Sequence, residues 1–137
     1  WLCNAFVVIC LLGTFLQARA QNAAPTIKFY IGDTALDEKN GVAAKDLPQL
    51  KIKVTPDEAH PNDVYNVSHW TLYIRHNATL GPAREGIGEP LHLTSTAGAV
   101  GDVIVVEFRT VTRTDADGKK EKVLMNEEMK YLSIAIK

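Results

Sequence analysis

The clearest pattern in the chain is a two-residue alternation of apolar and polar positions in its C-terminal part. Between residues 101 and 137 apolar residues recur at every second position in three runs: Ile104, Val106 and Phe108; Val123 and Met125; Leu132, Ile134 and Ile136. This period, with Val, Ile and aromatic side chains, is typical of antiparallel strands with one buried face. The alternation predicts a meander of three strands whose apolar face needs a second layer.

The upstream chain supplies that layer with the same alternation. Further strands are predicted at Thr26 to Ile31, Leu50 to Val54 and Ser68 to His76, with a short one at Leu91 to Leu93. Segments rich in glycine, proline, asparagine and aspartate separate them, and no helix longer than a turn or two is predicted. About seven short strands with turn signals between them predict an all-β antiparallel sandwich with Ig-like or Greek-key connections.

Trp70 has the same phase as Leu72 and Ile74 in the third of these upstream strands. The phase places Trp70 in the core, where burial of so large a side chain contributes about 2 to 3 kcal/mol. The alternative interpretation is an exposed platform on which a sugar ring stacks. Tyr73 and Arg75 have the opposite phase, so we expect them to face solvent.

The stretch from Asn77 to Pro90 (NATLGPAREGIGEP) is the longest irregular segment between predicted strands, with three glycines and two prolines. Long loops on rigid sheets commonly carry recognition sites, but a mobile crossover between two sheets fits the same composition. Both interpretations stay open. We expect a partner to dock through an edge strand or this loop, with four contact residues: Tyr73, Arg75, Arg84 and Glu85.

The N-terminal residues have the features of a processing segment. An apolar run of 12 residues, Ala5 to Leu16, precedes small residues at Ala18 and Ala20. This run is shorter than the roughly 20 residues of a membrane span, and the small residues are typical of a signal-peptidase site. We therefore expect an N-terminally truncated signal peptide at residues 1–20 and one mature domain at residues 21–137. An uncleaved membrane anchor is the rival interpretation.

Composition and charge exclude several function classes. Hydrophobic residues are 46% and charged residues 23% of the chain, which is ordinary for a globular domain. The formal net charge of −1 argues against a nucleic-acid partner. Cys3 and Cys10 both precede the expected cleavage point, so the mature chain has no disulfide and must rely on its apolar core.

The chemistry-bearing residues match no catalytic or metal-binding motif. Asp115 to Gly118 resembles the start of a calcium loop but lacks the later ligand positions, so Asp-Gly between two strands predicts a hairpin turn. The four histidines lack zinc-ligand spacing, and no serine lies in a glycine-flanked elbow. We expect no enzyme activity, no metal and no cofactor. Asn66 and Asn77 begin glycosylation acceptor patterns, which matter only in a eukaryotic source.

The C-terminal region resembles a known family. The run Gly101 to Glu107 (GDVIVVE), the turn Asp117-Gly118 and an alternating terminal strand ending in Lys137 look like the C-terminal domain of the GldM/PorM family. That family forms the periplasmic shaft of the Bacteroidetes gliding and type IX secretion motor. The resemblance covers residues 66–137 and implies an Ig-like domain without catalytic residues, acting by protein contact in a dimeric shaft. Family members also have a transmembrane helix and several periplasmic domains, so the shaft role itself is not carried over.

Together these features predict an exported, non-enzymatic protein-interaction module of the bacterial cell envelope, in the periplasm or at the cell surface. The expected partner is an envelope or secretion-apparatus protein, with a homodimer as a further assembly; nucleic acid is not expected, and no membrane span is predicted in the mature chain. The alternative is an extracellular carbohydrate- or ligand-binding module, favoured if Trp70 or Tyr30 is exposed. A hydrolase is a third class, for which no nucleophile or metal set can be assembled.

Overall fold

The computed structural model describes residues 25–137, which form an antiparallel β-sandwich of two sheets. The predicted signal peptide lies outside the described residues. Within the described range nine strands occur, seven of them with three or more residues, so the predicted all-β sandwich of about seven strands is confirmed. The strands are β1 Thr26–Ile31, β2 Thr34–Ala35, β3 Leu50–Thr55, β4 Val64–His76, β5 Thr79–Leu80, β6 Arg84–Gly86, β7 Val103–Thr114, β8 Lys120–Lys122 and β9 Tyr131–Ala135.

The smaller sheet has the strand order β2-β1-β3, and the larger sheet is built around the long central pair β4 and β7. These two strands are antiparallel from Val64 opposite Thr114 to Arg75 opposite Val103, with a bulge around Ser68. β5 and β6 pair with the other edge of β4, while β8 and β9 pair with the other edge of β7. The larger sheet therefore presents one broad face to the core and one to the outside.

The C-terminal strands do not form the predicted meander. β9 pairs with β7 and not with β8, because β8 covers only residues 112–114 of β7 and leaves residues 103–107 available. A short helix, α1 Glu127–Lys130, turns the chain back towards β7, and the Asn126 side chain caps it by accepting the Met129 N–H at 2.9 Å. The described residues contain one further helix, a 3₁₀ helix at Ala44–Gln49, and neither helix has the length and apolar character that a membrane crossing needs.

The predicted hairpin turn joins β7 to β8. The Asp115 carboxylate accepts the backbone N–H of Asp117 at 3.0 Å and that of Lys119 at 2.9 Å. Gly118 has a φ of +79°, which glycine adopts without steric cost. The acidic residue of the sequence motif therefore stabilises the turn through its own backbone neighbours.

The inward-facing residues of both sheets meet in one apolar core. The alternation in the sequence predicted the inward phase of β1, β3, β4, β7 and β9 correctly, and the 3₁₀ helix adds Leu47. The buried apolar residues of these elements are Phe29, Leu47, Leu50, Ile52, Val67, Trp70, Leu72, Ile104, Val106, Phe108, Val111, Leu132 and Ile134.

The prediction of a short strand from Leu91 to Leu93 is wrong. His92 has a φ of +49°, which lies outside the extended region, and its side chain is exposed. Leu91 and Leu93 are nevertheless buried, as their phase predicted. The chain joins the smaller sheet only just before this point, where Pro90 forms an isolated bridge with Lys51 of β3.

Candidate partner-binding surface

Tyr73 and Arg75 lie on the outer face of the larger sheet, away from the core. In the register of the central pair, Tyr73 is opposite Val105 and Arg75 is opposite Val103. Direct cross-strand neighbours share a face, so the two valines are also on the outside. The neighbouring strands β9 and β5 continue the same two rows with Ser133, Ala135 and Leu80.

Apolar side chains lie close together on this face, with Leu80 opposite Arg75 at one end and Tyr131 opposite Glu107 at the other. Tyr131 is 48% and Leu80 is 55% exposed, while the members nearer the sheet centre are half-buried. Large exposed apolar groups that lie next to one another commonly mark binding surfaces, whereas single ones do not. We call this group the apolar patch; it consists of Tyr73, Leu80, Val103, Val105, Tyr131 and Ala135.

The outward valines are the functional feature that the alternation did not predict. Residues 103–106 read Val-Ile-Val-Val, and Ile104 and Val106 fill the core as expected. Because side chains alternate along a strand, Val103 and Val105 must point outward. An uninterrupted apolar run is typical of a strand that is covered on both sides. The run at residues 103–106 is therefore the sequence feature that indicates an outer face suited to burial.

Polar side chains border the apolar patch. Arg109 donates from Nε to the Thr71 hydroxyl at 3.0 Å, and a terminal nitrogen of its guanidinium lies 3.5 Å from the Glu107 carboxylate. On the neighbouring strands, His69 Nε2 lies 3.7 Å from the Glu85 carboxylate. An apolar centre with a polar, solvent-accessible rim is the usual anatomy of a protein interface.

The remaining predicted contact residues lie on β6, beside β4. Glu85 is opposite Thr71 and therefore shares the outer face with the predicted contact residues of β4. Arg84 is opposite Leu72, whose side chain points into the core, and it is exposed at the edge of the sheet. Three of the four predicted residues thus share one face, and Arg84 lies on the other side of the β6 edge.

The segment from Asn77 to Pro90 is a crossover built around Trp70. The indole Nε1 donates to the Gly88 carbonyl at 2.8 Å, and the Gly88 N–H donates to the Val67 carbonyl at 2.9 Å. Gly86 lies opposite Trp70, and a Cβ there would come within 2.1 Å of the ring. Trp70 is 2% exposed, so its prediction as a core residue is confirmed and it does not form a sugar-stacking platform.

The edge of β9 is a second place where a partner can add. Ile136 exchanges backbone hydrogen bonds with the segment that leads into β7, so the N–H and C=O groups of Tyr131 and Ser133 point the other way. Within residues 25–137, Val42 bridges to this edge only at its C-terminal end. β9 itself contains no charged residue and no proline, the residues that commonly prevent an exposed edge strand from pairing with another chain.

A separate polar cluster lies at the end of β4. His76 Nδ1 is 2.5 Å from Asp102 Oδ1, and the Ala99 N–H donates to the other carboxylate oxygen at 2.9 Å. The pKa of Asp102 is lowered, mainly by the hydrogen bond from the Ala99 N–H and secondly by the hydrogen bond with His76. Asp102 immediately precedes β7, so the cluster holds the turn from which the central strand starts.

The lowered pKa of Asp102 gives a pH-dependence that can be measured. A carboxyl group whose pKa is lower in the folded than in the unfolded state, where it is about 3.9, stabilises the fold above that value. The stabilisation is lost as the pH falls through the folded pKa. We expect Asp102→Asn to lower the urea midpoint at pH 7 and to reduce the further loss of stability between about pH 4 and pH 2. An Asp102→Asn variant with the wild-type pH profile would contradict this assignment. His76→Gln is the matched variant with a partial change, because it alters only the second of the two hydrogen bonds to Asp102.

Two further findings concern metal binding and similarity to known proteins. Within residues 25–137, no three histidine, cysteine or carboxylate residues come together in an arrangement that could hold a metal ion. The resemblance to the GldM/PorM terminal domain stays a prediction, and the function has to be inferred from the surface geometry. Comparison of the chain with protein-family models, with curated proteins and with solved structures finds no match in any of the three.

Proposed function

We propose that this chain is an exported, non-enzymatic protein-interaction module of the bacterial cell envelope, and that it binds its partner through the apolar patch. The observation that carries the proposal is the Val103–Val106 run at the start of β7, a central strand of the larger sheet. Its outward valines are only half-buried within this chain. Covering them with a partner removes apolar area from water, which contributes about 25 cal/mol per Å².

The composition of the patch and its surroundings favours a protein as the partner. Tyrosine and arginine carry a large share of the binding energy at protein interfaces, and Tyr73, Tyr131 and Arg75 lie on or beside the patch. The open edge of β9 adjoins the patch, so an extended partner segment can add backbone hydrogen bonds to the same contact. The family resemblance covers this region and implies contact with an envelope or secretion-apparatus protein, or with a second copy.

The carbohydrate-binding alternative has less support. Its main candidate residue, Trp70, is in the core. Its other candidate, Tyr30, is half-buried on the smaller sheet, with Lys53 Nζ 5.1 Å from the centre of its ring. A sugar stacking on this ring would have to displace the ammonium group, so no observation favours a carbohydrate over a protein.

Site-specific photo-crosslinking in the source cell tests the proposal. A photoreactive phenylalanine analogue replaces Tyr73 in the full chain, and the matched control carries it at Asp117, at the tip of the β7–β8 hairpin. We expect an adduct with one envelope protein from position 73 and none from position 117, because only the first lies in the proposed contact. The adduct is identified by mass spectrometry, and binding is then repeated with both purified proteins.

The other outcomes are equally informative. An adduct between two copies of the chain would identify a homodimer as the occupant of the patch. Equal adducts from Tyr73 and Asp117, or none from Tyr73 in cells where the chain is exported, would contradict a partner-binding role of the patch. Recovery of the chain without its first residues from the periplasm or surface checks the proposed export separately.

A further inference from the structure

The outer face of the smaller sheet has a different character from the apolar patch. Register pairs Lys28 with Lys53 and Tyr30 with Lys51, and all four side chains lie on the face away from the core. The threonines that complete these rows, Thr26 and Thr55, are uncharged. We call the lysines at positions 28, 51 and 53, together with Tyr30, the basic face.

The lysines of the basic face are poorly compensated within the chain. Lys28 is directly opposite Lys53, and like charges in this relation destabilise a sheet. Lys53 Nζ lies 3.2 Å from the Asp33 carboxylate, but that side chain is 99% exposed, so the pair contributes little. Glu89 adds a weaker attraction at the rim near Lys53. Residues 1–24 contain no acidic side chain that could supply a further partner.

The basic face contrasts with the rest of the chain. Residues 25–137 contain fourteen lysine and arginine residues and sixteen acidic ones. Outside the three lysines of the basic face, eleven cations remain against the same sixteen acids. A long polyanion such as a nucleic acid would extend past the basic face and meet this negative remainder. A short anionic segment can stay within the basic face and avoid the repulsion.

The spacing of Lys51 and Lys53 matches an extended acidic peptide. Lys51 and Lys53 are two residues apart on one strand, so their Cα atoms are separated by about 7 Å. In an extended peptide, acidic residues at alternate positions have the same separation and the same facing. Lysine presents a point charge without the fixed fork of arginine, which suits carboxylates at variable angles.

We propose that the basic face binds a short, extended acidic segment of a partner polypeptide, with carboxylates at alternate positions facing Lys51 and the neighbouring pair Lys28 and Lys53. This surface lies on the opposite side of the sandwich from the apolar patch and does not depend on the function proposed for the patch. A chain with both surfaces can contact two polypeptides at once.

A synthetic peptide provides the test. The probe is an eight-residue fluorescent peptide in which glutamate alternates with serine, and the reference has glutamine in place of glutamate. Binding to residues 21–137 is followed by fluorescence anisotropy at low and at about 0.3 M salt, where screening is strong. We expect the glutamate peptide to bind at least about fivefold more tightly than the glutamine peptide at low salt, the effect of three exposed charge pairs.

Two triple variants separate the basic face from net charge. Lys28→Gln, Lys51→Gln and Lys53→Gln together are expected to remove the preference for the glutamate peptide. The control changes the same number of lysines at the β7–β8 hairpin, with Lys119, Lys120 and Lys122 replaced by glutamine, and should keep the preference.

Equal losses in the two triple variants would overturn the proposal, as would equal binding of the glutamate and glutamine peptides. Tighter binding of a single-stranded oligonucleotide carrying the same number of charges would overturn the peptide assignment. Thermal unfolding checks that the basic-face variant is folded, and relief of the Lys28–Lys53 repulsion should leave it no less stable than wild type. Val105→Asp, which lies in the apolar patch of the larger sheet, should leave peptide binding unchanged. Failure of the proposal for the basic face can therefore be distinguished from failure of the proposal for the apolar patch.

Discussion

Replacement of Gly86 by alanine is expected to lower the free energy of unfolding by about 2 to 3 kcal/mol, because it overpacks the core. The added Cβ would lie 2.1 to 2.6 Å from three atoms of the Trp70 indole ring. The ring cannot simply move away, since it is 2% exposed and its N–H is held by the Gly88 carbonyl at 2.8 Å. Urea unfolding of residues 21–137 measures the change, and tryptophan emission reports whether the ring becomes exposed.

A double-mutant cycle with Trp70→Phe is the matched control. Phenylalanine lacks the outer ring atoms that Gly86→Ala would strike, so in that background the alanine should be nearly neutral. Trp70→Phe alone should still destabilise, because it leaves a cavity and an unpaired carbonyl. An equal cost of Gly86→Ala in both backgrounds would show that the close approach of Gly86 to Trp70 is not its cause.

The fold was predictable because its strands obey a local rule. Alternation placed Phe29, Ile52, Leu72 and Phe108 in the core, and each is at most 1% exposed. The rule works wherever one face of a strand is buried and the other is solvated, since burial then depends on sequence phase alone. The prediction failed at His92, where a left-handed backbone interrupts an alternating segment without any glycine to signal it.

The pairing of the strands was less predictable than their positions. Alternation does not predict that β9 pairs with β7, because this pairing depends on how few residues of β7 are already paired with the short strand β8. Nor does alternation reveal β6, whose three residues pair with β4 within a glycine- and proline-rich segment. Both features follow from long-range contacts, which turn residues cannot encode locally.

The candidate site was partly predictable. Tyr73, Arg75 and Glu85 do share a face, since two of them follow the outward phase of β4 and the third is brought beside them by β6. Their apolar neighbours Val103 and Val105 were not identified from alternation, which used only the inward half of the run. The two outer faces of the sandwich therefore differ in a way that phase alone does not show: one is apolar at its centre and the other is basic.

Replacement of Val105 by aspartate is expected to weaken binding of the crosslinked partner at least about tenfold, which corresponds to about 1.4 kcal/mol. Val105 lies at the centre of the apolar patch, opposite both Tyr73 and Ser133. A carboxylate there would be desolvated on binding without any opposite charge directly across from it. Binding of the purified variant to the purified partner, measured by calorimetry, gives the change in affinity.

Two further variants separate an interface effect from a folding effect. Thr110→Asp makes the same charge change on β7, where Thr110 is opposite His69 of the polar rim, and it should leave the affinity within about twofold. Val105→Thr keeps the shape of the side chain but replaces a methyl group by a hydroxyl, and its effect should lie between wild type and Val105→Asp. Equal weakening by Thr110→Asp and Val105→Asp would point to loss of sheet stability or to net charge. Undiminished binding by a folded Val105→Asp variant would mean that the partner does not cover the apolar patch, and that the uninterrupted run in β7 has another cause.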